Sequence, residues 1–182
     1  SVDGFGGVWI ADTANHRVQR FDFEGIAQQT IGSGEPALSN QWLGRTRDWY
    51  VSGNTAAVGN GGFTLPVGLD VVPDKKNGDG LVVLDAAGQV TRLDGNGKVV
   101  KSWSLGIEVP LSPGIGGEGH VTVAKNKVVV AWGNDGYVFD LDGTALNTFR
   151  FEDGVVGGLV GFKNGKFAAV FGDELVLFST DG

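Results

Sequence analysis

Apolar residues recur in short runs, at 8–11, 18–21, 26–31, 65–71, 81–84, 90–93, 99–105, 120–124, 128–132, 137–141, 145–151, 158–162, 167–171 and 175–178. The runs are rich in Val, Leu, Ile and Phe and are bounded by Gly, Asp, Asn or Ser. No run carries a sustained 3.6-residue period with capping signals, so the pattern predicts short β-strands joined by tight turns and no helices.

The strands repeat in sets. Gly133 to Gly172, Phe139 to Phe178, and Asp142-Gly143 to Asp181-Gly182 share one offset of 39 positions. Asp94-Gly95 and Asp142-Gly143 are 48 apart, lengthened by a Pro/Gly-rich link at 109–119. Asp22 and Asp94 are 72 apart, lengthened by an insertion at 32–62. Periods of about 40–50 residues with four strands each are propeller blades. The expectation is therefore all-β: one propeller domain or partial propeller with units at about 1–32, 65–105, 119–151 and 155–182. The first unit lacks most of its innermost strand and the last lacks its outer one. A ring needs ~4–8 blades to close, so the chain reads as part of a larger propeller, or as one whose ring is completed elsewhere. Trp9, Ile10, Val18, Phe21, Leu69, Val71, Val83, Leu93, Val129, Trp132, Phe139, Leu141, Phe167, Phe171 and Leu177 are expected to pack between blades.

Gly7-Val8-Trp9-Ile10-Ala11-Asp12-Thr13-Ala14-Asn15-His16-Arg17-Val18-Gln19-Arg20-Phe21-Asp22 closely resembles an NHL repeat, with Asp12, Asn15, Arg17, Gln19 and Asp22 on the family pattern. Leu65-Pro66-Val67-Gly68-Leu69-Asp70-Val71 is similar to the opening strand of such a repeat. The likeness is weaker over 65–105 and only architectural beyond. It implies NHL-like four-stranded blades, usually six to a ring. It also implies a partner or ligand on the face where second and third strands connect, single-stranded RNA in some animal members. Within the first hairpin, Asp12 and Asn15 suit Asx-type turns. Asp12 is placed to pair with Arg17, and His16 reads as an exposed turn residue. The matching turns of the other units offer Asp85, Asp135, Asp173 and Glu174, so this face is expected to be acidic and unsuited to RNA.

Composition changes the picture at a few points. Gly accounts for 32 of 182 residues, far above the usual ~7%, and fits many tight turns. Basic residues number 14 against 21 acidic ones, a net charge of −7, which disfavours nucleic-acid binding. Cys is absent, so there is no disulfide frame, thiolate nucleophile or Cys metal site. No run approaches the ~18 apolar residues of a membrane helix. Met is absent even at position 1, and Ser1-Val2-Asp3 reads as the tail of a strand, so a processed product or partial chain is expected. The compartment stays open, with a processed terminus leaning toward export.

The insertion at 32–62 mixes cationic and aromatic side chains, Arg45, Arg47, Trp49 and Tyr50, a composition common in interface hot spots. With Asn15 and His16 they form the candidate binding set. The leading reading is a non-catalytic binding or scaffold module that takes a protein partner or a small ligand. One alternative is a fragment of a propeller hydrolase or lyase with an axial divalent metal. Against it, the chain has only His16 and His120, with no Glu-x-x-His spacing and no Gly-x-Ser-x-Gly elbow. No catalytic or metal residues are assigned. The other alternative is a structural subunit that assembles through open blade edges. Asn77-Gly78-Asp79-Gly80 is similar to calcium loops, but Lys75 and Lys76 crowd the acidic positions. A hairpin turn is the preferred reading there, with Ca²⁺ the alternative. Gly116-Gly117-Glu118-Gly119 and Gly157-Gly158 lack a following helix and a Gly-Lys-Ser/Thr, so they are turns and not phosphate cradles.

Overall fold

The computed structural model describes residues 1–32, 63, 65–106, 119–152, 154 and 156–180. Every expected strand forms: β1 Val8–Asp12, β2 Arg17–Phe21, β3 Ala27–Gly32, β4 Pro66–Val72, β5 Gly80–Asp85, β6 Gln89–Leu93 and β7 Val99–Ser104. The second half adds β8 Gly119–Ala124, β9 Lys127–Trp132, β10 Asp135–Asp140, β11 Ala145–Arg150, β12 Gly158–Gly161, β13 Lys166–Phe171 and β14 Glu174–Ser179. They make four antiparallel meanders, β1-β2-β3, β4-β5-β6-β7, β8-β9-β10-β11 and β12-β13-β14, here blades 1 to 4. Val2 bridges Val8, so a tail of inner strand stands beside β1. The expectation of no helix needs one correction: Thr13–Asn15 is a 3₁₀ turn. Among the described residues no helix is long and apolar enough to cross a membrane.

The blades stand face to face, because strand alternation sends successive residues to opposite neighbours. From β5, Leu81 and Val83 pack with Trp9, Val18 and Ile31 of blade 1. Val82 and Leu84 of the same strand turn the other way, to Val121, Val128 and Val130 of blade 3. Likewise Val129 and Ala131 of β9 meet Phe167, Ala169 and Phe171 of blade 4. A middle strand of this kind is buried on both faces, so it reads as a continuous apolar run. Each fully buried Val, Leu or Phe contributes roughly 1.5–3 kcal/mol. Two residues expected in the core, Ile10 and Leu177, are exposed. Their alternation is right, but they lie on the outward faces of blades 1 and 4.

One turn recurs through the chain. Asp3, Asp22, Asp85, Asp94 and Asp140 each accept the amide N–H groups two and four residues ahead on Oδ1. In each the carbonyl of the Asp receives the N–H of a glycine three residues on. Those glycines, Gly6, Gly25, Gly88, Gly97 and Gly143, all have φ between 71° and 83°, a region side chains with a Cβ rarely enter. This Asp-x-x-Gly unit accounts for five of the 32 glycines. It also corrects the repeat register, since Asp94 corresponds to Asp140 and not to Asp142.

A polar belt crosses the inner strands. Ser1 Oγ donates to Asp70 Oδ1 at 2.7 Å. Thr122 Oγ1 and the Val123 N–H both donate to Asp70 Oδ2 at 2.8 Å. The Gly161 N–H then donates to Thr122 Oγ1 at 2.6 Å. The belt therefore links all four blades in order. Only glycine fits at 161, where a Cβ would collide with the Val123 carbonyl.

Candidate interaction face

In a meander, the second-to-third connections and the blade-to-blade segments emerge at the same end. Here that end carries the 3₁₀ turn of blade 1, the start of the insertion after Gly32, and its return at Phe63. Arg17 pairs directly with Gly32 across β2 and β3, which fixes the departure point.

The 3₁₀ turn is built by its own polar residues. Asn15 Nδ2 donates to Asp12 Oδ1 at 2.8 Å, and Arg17 Nε donates to Asp12 Oδ2 at 2.7 Å. The expected ion pair is thus present, with both side chains about a quarter exposed. It closes the hairpin beneath the 3₁₀ turn.

His16 departs from its expected role. It is half-buried, not exposed, and takes a left-handed conformation with φ 52°. In the corresponding turns of blades 2, 3 and 4, glycines hold the left-handed position, Gly88, Gly133 and Gly172, with φ 71°, 57° and 59°. A histidine there costs on the order of 1 kcal/mol in backbone strain. Its ring offsets that cost by clamping the returning chain. The Leu65 N–H donates to Nδ1 at 3.3 Å, and the Phe63 carbonyl lies 3.2 Å from the same nitrogen. Thr13 Oγ1 adds a bond to the Pro66 carbonyl at 2.7 Å. Burial pushes the His16 pKa below its ordinary value, and the Phe63 carbonyl opposes that shift. Neutral imidazole is the form that accepts the Leu65 N–H.

The acidic character expected of this face is only partly present. Asp135, Asp173 and Glu174 are exposed, but Asp85 is buried and spends Oδ1 on the Ala87 and Gln89 amides. Tyr137 is half-buried, and burial, then the nearby Asp135 carboxylate, raises its pKa. Arg45, Arg47, Trp49 and Tyr50 lie outside the described residues, as do most of the 109–119 link and Asp181-Gly182.

Asp3 was missed by sequence reasoning. Its side chain is buried in the first Asp-x-x-Gly turn, with Arg20 Nε at 2.6 Å and Trp9 Nε1 at 3.1 Å. Burial disfavours its charge, but the Arg20 bond and the Gly7 and Phe5 amides outweigh that and lower its pKa to about 2. Five copies of the turn signature were the signal that finds it. Beside this turn, Asp74 and Asp79 also turn inward on the backbone. Asp74 accepts from Lys76 and Asn77, and Asp79 from Asp74 and Gly4. Gly78 supplies the positive φ of a turn. His120 sits half-buried on β8. Among the described residues no group of three or more His, Cys, Asp or Glu side chains is placed to hold a metal ion.

No protein-family model matches the sequence, and no curated protein matches it. Solved structures do match the fold. The RRP9 WD40 repeats superpose with a TM-score of 0.59 at 8% identity, over 96% of this chain and 48% of that one. The WD40 β-propeller domain of Doa1 gives 0.59 at 14%, over 97% and 47%. Virginiamycin B lyase from Staphylococcus aureus gives 0.54 at 13%, over 98% and 54%. The chain thus spans about half the length of these structures. It is a partial β-propeller.

Proposed function

We propose that the chain is a protein-binding module that presents the 32–62 insertion from the connecting face of blade 1. The observation that carries this is the clamp at the insertion's base. Thr13 and His16, the latter in the left-handed conformation that glycines hold in the other blades, bind Phe63, Leu65 and Pro66. Strain of this kind, held in place by surrounding contacts, is a reason to look for function. Arg45, Arg47, Trp49 and Tyr50 then supply cationic and aromatic anchors, with Asn15 and His16 as the rigid base. Among the matched structures are WD40 repeat domains, and BBS1N was solved in complex with ARL6DN, which supports an interaction role in general. The finer NHL-type reading rests on the motif from Gly7 to Asp22 in blade 1.

The test is affinity capture with the wild-type chain beside an Arg47→Ala, Trp49→Ala double variant. Partner capture should fall at least tenfold, the loss of two hot-spot side chains, while circular dichroism and melting stay unchanged. Undiminished capture removes the insertion from the reading. Elemental analysis of the same preparation discriminates the enzymatic alternative, since a stoichiometric divalent metal favours a propeller hydrolase or lyase.

A further inference from the structure

Lysine is not spread evenly over the molecule. Six of the eight lysines, Lys75, Lys76, Lys125, Lys127, Lys163 and Lys166, lie in the turns between first and second strands of blades 2, 3 and 4, or on the residue that ends them. Each turn repeats a Lys-Asn pair, Lys76-Asn77, Lys125-Asn126 and Lys163-Asn164, and all three pairs are exposed. The inner strands β4, β8 and β12 run side by side in one direction. Gly68 lies against Val121 and Asp70 against Val123, then Gly161 against Val123 and Gly165 against Lys125. The three turns therefore share one end of the fan, opposite the insertion. Only Asp74 and Asp79 carry negative charge in them, so six lysines against two aspartates leave four positive charges, on a chain whose net charge is −7. Lys127 Nζ donates to the Thr180 carbonyl at 3.5 Å and ties blade 3 to blade 4. The other five lysines are exposed.

Lys125 is the most telling member. Ala124 and Lys127 pair across β8 and β9, so Lys125 and Asn126 are a two-residue hairpin turn. Lys125 takes φ 61° at the first position, where glycine is the favoured residue. A lysine kept in a strained conformation there is a reason to look for a role of its side chain. The rim around these turns has the opposite sign. The turns that lead into the outer strands β3, β7 and β11 carry Asp22, Glu24, Asp94, Asp140 and Asp142, against Lys98 and the Arg92 that meets Asp142. A broad anionic membrane would meet both signs at once, whereas a narrow ligand reaches the positive centre alone. The three turns contain no arginine to fork a compact phosphate. Their charges are single points set on successive turns, which matches carboxylates spaced along a chain. We infer that the inner turns of blades 2, 3 and 4 form a crescent that binds an extended acidic peptide segment, with Lys76, Lys125 and Lys163 as its charge contacts. The crescent is independent of the insertion and of the partner proposed for it.

Fluorescence anisotropy of a labelled oligoglutamate peptide, titrated with the full chain at low and at physiological salt, tests this directly. Binding should be measurable at low ionic strength and weaken as salt rises. A Lys76→Ala, Lys125→Gly, Lys163→Ala variant should bind about tenfold more weakly, since each contact is a partly screened surface charge. Lys125→Gly relieves the left-handed backbone, so melting of this variant should stay level or rise while binding falls. The single variants Lys76→Ala and Lys163→Ala leave the backbone unaltered and should each lose about twofold. A control with Lys98→Ala and Lys101→Ala, exposed lysines outside the crescent, should bind as wild type. Absence of binding to the wild-type chain at low salt overturns the proposal. An equal loss in the control overturns it too, since attraction would then follow total charge. Stronger capture by phosphatidylserine vesicles or by a single-stranded oligonucleotide than by the peptide overturns it in favour of a membrane or a nucleic acid.

Discussion

Blades 1 and 4 are both three-stranded sheets at the ends of the fan, yet different chemistry supports each. Blade 4 is held by rings. Phe167 and Phe178 stack at 5.2 Å between centroids, Phe149 approaches Phe167 at 5.8 Å, and Phe151 meets Phe171 at 5.3 Å. Blade 1 contributes only Trp9 and two aliphatic residues to its buried cluster. It adds the Asp3–Arg20 pair, the Asp12–Arg17 pair and the His16 clamp. Polar side chains in blade 1 do part of what phenylalanines do in blade 4. One sheet geometry therefore has two kinds of support, and only the polar kind responds to pH.

Phe167→Ala breaks the aromatic side of the comparison. Phe167 is fully buried, and its removal should cost about 3–5 kcal/mol, read by thermal or denaturant unfolding. The cost should be the same at pH 7 and pH 5, since the cluster itself is built of apolar side chains.

Much of this contrast could be read in the sequence, and part could not. The strands and blade order were legible because alternating and continuous apolar runs report strand faces directly. Ile10 and Leu177 were misplaced because alternation says which residues share a face, not whether another blade covers it. Asp3 escaped because a lone carboxylate beside glycines looks like any turn; only Arg20, seventeen residues away, makes it a buried ion. The burial of His16 is not legible locally because its partners, Phe63 and Leu65, lie beyond the whole insertion.

Asp3→Asn tests the polar side. It keeps the shape but removes the charge that Arg20, Trp9 and two amides address, and should cost about 2–3 kcal/mol at pH 7. The wild-type Asp3 pKa of about 2 lies below the ordinary 3.8. Its contribution is therefore fully present above pH 3.8 and is lost as the pH falls toward 2, about 2 kcal/mol in all. Hydrogen exchange resolved by blade should show blade 1 loosening over that window ahead of blade 4. Simultaneous loosening would mean the two supports are not separable.

The smallest effect belongs to His16→Gly. Glycine relieves the left-handed strain while the ring contacts are lost, so global stability should change by less than about 1 kcal/mol. Exchange of the Leu65 amide should nevertheless accelerate. In the wild-type chain the depressed His16 pKa means the clamp is fully present above pH 6.5. It is lost as the pH falls through the lower folded value. An unchanged Leu65 exchange rate in the variant would remove His16 from the base of the insertion.

The polar belt through Asp70 has a geometric consequence for the whole fan. It joins the blades at their smallest radius, and two or three further strands at about 4.8 Å spacing carry each rim roughly 10–14 Å outward. A lever of that ratio magnifies any adjustment at the hub. An ångström of play among Ser1, Asp70, Thr122 and Gly161 would become several at the periphery. The carboxylate of Asp70 thus acts as the axle pin of the assembly, and the spread of the fan is set where the least material lies.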